Sequence, residues 1–337
     1  MRLLIWGAGA IGGTLGAYLI QAGHDITFVD RAADHVAAIN RNGLTITGPI
    51  AEFVVHATAF TPQELDGQWA VILLCVKAQD TAAAALDIVP HLGPGGFVVS
   101  VQNGLNELEI APVVGQENTV GSFVNFGADY LEPGLILYGG RGAVVLGELD
   151  GTVSPRVQAL HRTFLDFEPN AIITTNMWGF LWGKLAYGAQ LFATALTDES
   201  IADCLADPAY WDLYIALATE VLTVAAAQGI TPEAFNGFDP HAFVPGTPRE
   251  VSLRSLDGMV AFNRKSAKTH SGIWRDLAVR KRRTEADAQL GPIVTAGKQA
   301  GVPTPLTAKV IELIHEIEEG QRPQQTSNLD ELKALIP

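Results

Sequence analysis

The feature that most constrains this fold is a glycine-spaced turn directly behind a short apolar run at the N-terminus. The run Met1–Trp6 is strand-like, and a G-x-G-x-x-G spacing follows before a helical pattern begins. This spacing predicts a tight turn at Gly7, close approach of the backbone to a pyrophosphate at Gly9, and close helix–strand packing at Gly12. Free N–H groups at the start of the helix favour the same anion. The predicted cofactor-binding residues of this turn are Gly7, Gly9, Ala10, Ile11 and Gly12.

A second strand is predicted at Asp25–Val29, and Asp30 and Arg31 follow it. A carboxylate about 20 residues behind the glycine turn commonly binds the adenosine ribose hydroxyls and selects NAD. A guanidinium at the next position could instead hold the 2′-phosphate of NADP or stack on adenine. Asp30 could also act only as a helix N-cap. We therefore expect NAD or NADP as cofactor, with a preference for NAD because of Asp30.

Two further apolar runs end in polar residues. The run 70–76 leads into Lys77 and Gln79, and the run 96–101 leads into Asn103. Continuous apolar runs are typical of parallel strands buried on both faces. Ligands of such sheets lie outside the carboxyl ends of the strands, so Lys77, Gln79 and Asn103 are predicted to face the cofactor together with the glycine turn. The alternative for each is an ordinary turn or surface residue.

The remaining pattern divides the chain near residue 175. Strand-like segments are predicted as a pair within 44–59 and at 119–126, 134–139, 142–147 and 171–175, and long amphipathic helices follow. We predict an α/β protein with a doubly wound Rossmann domain at 1–175 and an all-helical domain at 176–337. The predicted helices of the second domain are 177–196, 209–228, 249–265, 276–300 and 305–320.

Composition limits the classes of partner. The 337 residues are 48% hydrophobic and 17% charged, with a net charge of −14, which argues against nucleic acid or an anionic membrane as partner. The two cysteines and the absence of a ligand-spaced Cys/His pattern predict no disulfide framework and no metal site. The chain starts directly in a strand without a signal-like segment, so a cytoplasmic location is expected.

The sequence resembles the ketopantoate reductase (2-dehydropantoate 2-reductase) family along nearly its whole length. The motifs that carry the resemblance are the glycine turn, Val76-Lys77-Ala78-Gln79, Gln102-Asn103-Gly104, Trp182-Gly183-Lys184-Leu185 and Arg283-Thr284-Glu285-Ala286-Asp287. The resemblance implies a Rossmann domain, a helical domain of the 6-phosphogluconate-dehydrogenase-like type, and a substrate between them. It also implies NADPH-dependent reduction of a 2-keto acid to a 2-hydroxy acid.

Three residues match the family's catalytic positions. The resemblance identifies Lys184 as the catalytic lysine, Glu285 as the active-site glutamate and Asn103 as the asparagine that supports cofactor and substrate. A cation that carries a proton suits the negative charge that grows on a carbonyl oxygen during hydride transfer. The alternatives are a surface lysine, a charged solvated helix face at Glu285, and a turn residue at Asn103.

The substrate positions depart from the family pattern. Members of the family usually carry asparagines one and two helical turns after the lysine, where this sequence has Gly188 and Phe192. They also usually carry a Ser-Ser pair where this sequence has Ser271-Gly272. A pocket that loses such donors binds its hydrogen-bonded substrate less well. We therefore expect a substrate other than ketopantoate, with a different or more apolar body. The candidate substrate residues are Gly188, Phe192, His270, Ser271 and Arg275.

Two functions from different classes remain open. The first is an NAD(P)-dependent reductase or dehydrogenase acting on a 2-keto or 2-hydroxy acid, or on a related carbonyl or alcohol. The second is a non-catalytic dinucleotide-binding redox sensor, which the missing asparagines favour and Lys184 with Glu285 opposes. A small-molecule substrate and a homodimer are expected in the enzymatic case.

Overall fold

The computed structural model describes residues 1–266 and 269–336. The chain separates into two compact units, Met1–Met177 and the part from Trp178 onward. The predicted helical domain 176–337 includes Ala267, Lys268 and Pro337, which lie outside the described residues.

The first unit alternates strands and helices from its first residues. Its elements are β1 Arg2–Trp6, α1 Ala10–Gln21, β2 Asp25–Val29, α2 Ala33–Asn42, β3 Leu44–Thr47, β4 Phe53–Val55, β5 Thr58–Phe60, β6 Trp69–Leu74, α3 Thr81–Ile88, β7 Leu92–Ser100, α4 Glu107–Val114, β8 Thr119–Val124, β9 Gly127–Glu132, β10 Leu135–Gly140, β11 Val144–Glu148, α5 Pro155–Phe164 and β12 Ile172–Ile173.

The main sheet has eight strands in the order β12-β11-β8-β7-β6-β1-β2-β5. The six adjacent strands β5, β2, β1, β6, β7 and β8 are parallel to one another, and β11 pairs antiparallel with β8. The chain runs outward from β1 to β2 and β5, then returns to β6 on the other side of β1. This reversal creates the crevice at which doubly wound sheets bind ligands, outside the ends of β1 and β6. The predicted Rossmann fold is therefore confirmed.

A second sheet departs from the sequence prediction. The segments predicted as a strand pair in 44–59 and a strand at 134–139 contribute to a separate sheet of order β4-β3-β10-β9, while β5 joins the edge of the main sheet. This sheet lies against α1, because a Cβ placed on Gly13 would be 2.3 Å from the Ile136 Cδ1 atom. Alternating patterns reveal strands but not the sheet that each strand joins. Helices α4 and α5 were not predicted.

The second unit is largely helical, as expected. Its helices are α6 Met177–Thr194 (whose first residue belongs to the first unit), α7 Ile201–Ala206, α8 Trp211–Ala227, α9 Arg249–Asn263, α10 Gly272–Ala278, α11 Ala286–Ala300, α12 Pro305–Glu318 and α13 Ser327–Lys333. Among the described residues, no helix is both long and apolar enough to span a bilayer.

One helix prediction is wrong in a way that matters for the site. The predicted helix 276–300 is two helices, α10 and α11, with an irregular segment between them. Arg280 and Arg282 of this segment both donate to Asp276 at 3.0 Å, and that carboxylate is buried. Side-chain pairing to one buried carboxylate folds the segment back on α10, and it leaves Lys281 at a φ of 50°. The alternative reading of Glu285, a residue on a charged and solvated helix face, therefore does not hold, since Glu285 is only 8% exposed.

Candidate active site

The glycine turn has the geometry that its spacing predicts. Gly7 has a φ of 104°, and a Cβ there would lie 2.8 Å from backbone atoms of Cys75 and Val76. A Cβ on Gly12 would lie 2.1 Å from the Gly7 oxygen, so α1 packs closely on the turn. A Cβ on Gly9 would meet no atom within 4 Å, so this position borders open space. Packing therefore requires glycine at positions 7 and 12, and Gly9 leaves room for a ligand.

The start of α1 can accept an anion. Gly9 is the N-cap and has no side-chain partner in this role, and the first intrahelical bond runs from the Gly13 N–H to the Gly9 oxygen at 2.7 Å. The N–H groups of Ala10, Ile11 and Gly12 therefore have no intrahelical acceptor. Together with the open space at Gly9, these groups fit the pyrophosphate of a dinucleotide.

Asp30 connects the glycine turn to the second helix. Its two carboxylate oxygens accept from the N–H groups of Ala8 and Ala32, each at 2.9 Å. The side chain is therefore held beside the turn by the backbone, at the end of β2 where a ribose would be recognised. The contact to Ala32 is cap-like, but the contact to Ala8 reaches across to the turn, so capping alone does not describe this residue.

A buried histidine that the sequence analysis missed supports the same turn. The His35 ring is fully buried, and the Gly134 N–H donates to its Nδ1 atom at 2.9 Å. The Nε2 atom therefore carries a hydrogen and donates it to the Ala8 oxygen at 2.9 Å. A backbone amide at one end and a carbonyl at the other lock both ring nitrogens. His35 thus fixes the glycine turn to the β9–β10 connection.

Arg31 and the segment behind β6 are joined by an ion pair. The Arg31 Nη1 atom lies 2.9 Å from the Asp80 Oδ1 atom. Asp80 ends the short 3-10 turn Ala78–Asp80, which Lys77 precedes. Gln79, a predicted cofactor residue, is exposed on this turn, whereas Lys77 is partly buried. The structure therefore adds Asp80 to the residues around the predicted site.

The residues before and after Asn103 belong to a buried polar network. The Gln102 Nε2 atom donates to the Val76 oxygen at 3.0 Å and to the Thr81 Oγ1 atom at 2.8 Å. Thr81 donates to the Asn106 Oδ1 atom at 3.0 Å, and Asn106 donates to the Asn103 oxygen at 2.8 Å. The network ties the segment after β6 to the segment after β7. Asn103 is therefore held just beyond the carboxyl end of β7, in a segment tied to the residues that follow β6.

Glu107 adds an unusual acid beside this network. It is the first residue of α4 and is 1% exposed, and neither carboxyl oxygen has a hydrogen-bond partner of good geometry. Burial raises the pKa of this carboxyl to about 7, against the weaker lowering effects of its own backbone N–H and of the Ser100 hydroxyl nearby. The helix N-terminus would favour the charged form, so desolvation is the stronger effect here.

In the second unit, Lys184 lies in the middle of α6. The helix sequence is apolar on most sides, and Leu181, Trp182 and Leu185 are buried around the partly buried lysine. Tyr187, three residues on, is buried and accepts from the Asn263 Nδ2 atom at 3.2 Å. Burial raises the pKa of Tyr187, which keeps its hydroxyl protonated. An aliphatic and aromatic helix thus carries one ammonium group.

Gly188 and Phe192 differ in what they offer a substrate. A Cβ on Gly188 would meet no atom within 4 Å, so open space exists one helical turn after Lys184. Phe192 is fully buried and therefore packs inside the unit without accessible surface. The absence of asparagine thus opens space at the first position and adds apolar core at the second.

Glu285 is positioned by the segment between α10 and α11. It is the N-cap residue of α11 and is only 8% exposed. The neighbouring Thr284 N–H donates to the Glu318 Oε1 atom at 2.7 Å, which anchors this segment to α12. The backbone at Glu285 is therefore anchored to α12 through Thr284 on one side and begins α11 on the other.

The other predicted substrate residues cluster at the start of α10. Ser271 is the N-cap of this helix and accepts from the Trp274 N–H at 3.1 Å, so its hydroxyl is engaged. The His270 ring stacks on Trp274 with centroids 4.0 Å apart, and its Nδ1 atom lies 2.9 Å from the Thr269 hydroxyl. Arg275 is partly buried one turn further along. Ser271 and His270 thus have local structural roles.

No group of three or more His, Cys, Asp or Glu side chains that could hold a metal ion occurs within residues 1–266 and 269–336. The first unit has a helix start that can accept an anion and an acid at a strand end, and the second unit has a lysine on an apolar helix. Fold and residues together define a Rossmann-type, nicotinamide-dependent oxidoreductase.

Comparison with known proteins gives the family. The family model described as "Ketopantoate reductase PanE/ApbA" matches residues 3–151, and "Ketopantoate reductase PanE/ApbA C terminal" matches residues 176–318. The chain belongs to the ketopantoate reductase family, and it is an NAD(P)-dependent oxidoreductase acting on CH–OH groups. The resemblance predicted from the sequence motifs is confirmed.

The individual relatives are distant but cover nearly the whole chain. The 2-dehydropantoate 2-reductase of Archaeoglobus fulgidus is 27% identical over 95% of this chain and 98% of its own. Among solved structures, a ketopantoate reductase from Ralstonia eutropha has a TM-score of 0.80 at 25% identity and covers 95% and 99% of the two chains. A D-mandelate dehydrogenase with NADH and anilino(oxo)acetate has a TM-score of 0.83 at 24% identity, with the same coverage.

Proposed function

We propose that this protein transfers hydride between NAD(H) and a 2-keto or 2-hydroxy acid whose body is more apolar than that of ketopantoate. The observation that carries the proposal is the open space at Gly188, one turn from Lys184 on a helix that is otherwise apolar. Gly188 has no side chain to form a hydrogen bond, so we expect a bulky, apolar group of the substrate to fill this space. The preference for NAD is based on Asp30, which the backbone holds at the end of β2.

Each site residue has a separate task in this proposal. The nicotinamide, when bound, supplies or accepts the hydride. The Lys184 ammonium donates a proton to the substrate carbonyl oxygen during reduction, and the Lys184 amine takes it back during oxidation. Asn103 and Glu285 orient the reactants, and Arg275 is the candidate partner of the substrate carboxylate. The glycine turn and the start of α1 bind the pyrophosphate.

An aromatic 2-keto acid is the first substrate to test. The D-mandelate dehydrogenase that shares this fold has been solved with anilino(oxo)acetate, an oxo acid with an aromatic ring. The ring of such a compound supplies apolar bulk, which the open space at Gly188 on an apolar helix favours. A cytoplasmic location and a homodimer are the setting that we propose for the enzyme, and light scattering of the purified chain tests the second.

The test is a panel of 2-keto and 2-hydroxy acids, assayed in both directions with both cofactors by nicotinamide absorbance. We expect aromatic and branched apolar acids to be turned over faster than ketopantoate. Gly188→Asn should lower kcat/KM for the preferred acid by about tenfold, because a polar side chain then occupies the space. Gly188→Ala is the matched control, since it adds one methyl group and should change kcat/KM less.

Two results would contradict the proposal. Equal loss in both Gly188 variants, or ketopantoate as the best substrate of the panel, would show that the space does not select the substrate. Tight binding of a dinucleotide with no turnover of any acid would favour the redox-sensor function instead.

A further inference from the structure

We propose that Asp80 determines the choice between NAD and NADP by holding Arg31 in an ion pair, so that the guanidinium is not free to bind the 2′-phosphate of NADP. The inference rests on the proposed function, because it concerns the dinucleotide that the glycine turn binds. It assigns a specificity role to a residue that touches neither the hydride nor the substrate.

The position of the ion pair is the first argument. Arg31 follows β2 and Asp80 ends the turn after β6, and these two strands flank β1 in the sheet. The 2.9 Å contact from the Arg31 Nη1 atom to the Asp80 Oδ1 atom therefore spans the carboxyl end of β1, where the glycine turn begins. The adenosine end of a dinucleotide lies beside this turn and the end of β2.

The charges around this point are the second argument. Arg31 is the basic residue directly behind β2, where a 2′-phosphate would be held, and its side chain is 74% exposed. Asp30 lies beside it with both oxygens engaged by backbone N–H groups. A phosphate at the ribose would therefore meet the Asp30 and Asp80 carboxylates and a guanidinium already paired with one of them. A ribose hydroxyl would meet acceptors, which suits NAD.

The ordinary alternative is a surface ion pair without function, and such pairs contribute little to stability. The proposal does not depend on stability, because it requires only that Asp80 and the phosphate compete for the same guanidinium. Asp80 makes no side-chain capping bond to α3. Its substitution should therefore leave the helix intact, and the effect can be read from cofactor binding alone.

The experiment measures dissociation constants of NADH and NADPH for the full chain by nicotinamide fluorescence. Asp80→Asn should tighten NADPH binding about tenfold, as one released charge-assisted hydrogen bond would, and should change NADH binding by less than about twofold. In an Arg31→Ala background the same substitution should have much less effect, because the guanidinium that it releases is gone. Asp87→Asn, an exposed position on α3, controls for the change in net charge.

The outcomes separate this inference from the proposed function. If the wild-type chain binds neither dinucleotide, the proposed function fails and the inference fails with it. If both bind but Asp80→Asn leaves their ratio unchanged, or changes it equally without Arg31, the inference alone is overturned. A normal thermal unfolding midpoint of each variant establishes that the compared chains are folded.

Discussion

In the first unit, backbone N–H groups and glycines form most of the predicted cofactor site. In the second unit, the predicted catalytic and substrate residues lie on α6, around the start of α10 and at the N-cap of α11, and most of them would act through their side chains. The glycine turn has the geometry that its spacing predicts: a Cβ on Gly12, for example, would lie only 2.1 Å from the Gly7 oxygen, so only glycine fits there. The side-chain site keeps Lys184 and Glu285 but has lost both asparagines.

The difference teaches how such an enzyme diverges. A pyrophosphate is the same in every dinucleotide, so the turn that binds it is constrained by backbone geometry and cannot vary without loss. A substrate body differs from one reaction to the next, and single side chains can change to suit it while the chemical group remains. Gly188 beside Lys184 illustrates this: the lysine that we propose as proton carrier is present, and open space borders the position one helical turn further on.

The largest expected effect concerns Lys184, the proposed catalytic lysine of the second unit. Lys184→Ala should lower kcat by at least about a hundredfold, because a general acid is lost, while dinucleotide affinity stays close to that of the wild type. Steady-state rates and fluorescence titration measure the two quantities. Lys298→Ala, an exposed lysine in the last turn of α11, is the control. Retained turnover would remove Lys184 from the catalytic role.

The next effect concerns the acid beside the Asn103 network. Glu107 has a pKa raised to about 7 in the folded protein, so below its unfolded value near 4.5 it carries no penalty. As the pH rises from about 4.5 to about 7, this carboxyl ionises in the unfolded chain before it does so in the folded one, which lowers the free energy of unfolding, and above about pH 7 the full loss of stability remains. Glu107→Gln should therefore be more stable than the wild type above neutral pH, by about 2–3 kcal/mol.

Chemical denaturation at several pH values measures this difference. The gain of Glu107→Gln should shrink toward zero as the pH approaches about 4.5. Glu109→Gln, on the exposed face of the same helix, should show no such profile. A pH-independent difference would mean that Glu107 does not titrate with a raised pKa.

The two glycine roles can be separated within the turn. Gly12→Ala should reduce stability by about 1–3 kcal/mol, because its Cβ overlaps the Gly7 oxygen, and dinucleotide binding should fall with it. Gly9→Ala should unfold close to the wild-type temperature and still bind the dinucleotide weakly, because its Cβ would occupy the open space. Thermal unfolding with and without NADH measures both. Equal stability losses would contradict the assignment of Gly9 to the ligand.

The smallest predicted effect concerns the affinity for NADH relative to NADPH. Asp30→Ala should weaken NADH binding about tenfold, the range of a hydrogen bond to a charged group, and NADPH binding less. Asp87→Ala serves as the control for charge. A parallel loss for both dinucleotides would show that Asp30 only supports the glycine turn through Ala8.

Much of the first unit could be predicted because local rules specify it. Strand β2 has the predicted bounds Asp25–Val29, and a helix follows the glycine turn as predicted, beginning at Ala10. The separate sheet of β3, β4, β9 and β10 could not be predicted, because alternation reveals a strand but not its partners. The break between α10 and α11 was missed for a related reason: residues 279–285 contain no glycine or proline to mark a break, and it is the pairing of Asp276 with two arginines that turns the chain.

By itself the sequence determined the Rossmann and helical organisation, the dinucleotide turn, and the family, because these depend on spacing that survives divergence. The tertiary structure alone brought Asp80 to Arg31 and His35 to the Ala8 oxygen, since each pair joins segments distant in sequence. It also decided that Gly188 borders open space while Phe192 is sealed in the core, which depends on packing around α6. The glycine spacing predicts that a dinucleotide binds, and the proposal that Asp80 selects between NAD and NADP depends on a contact between distant segments.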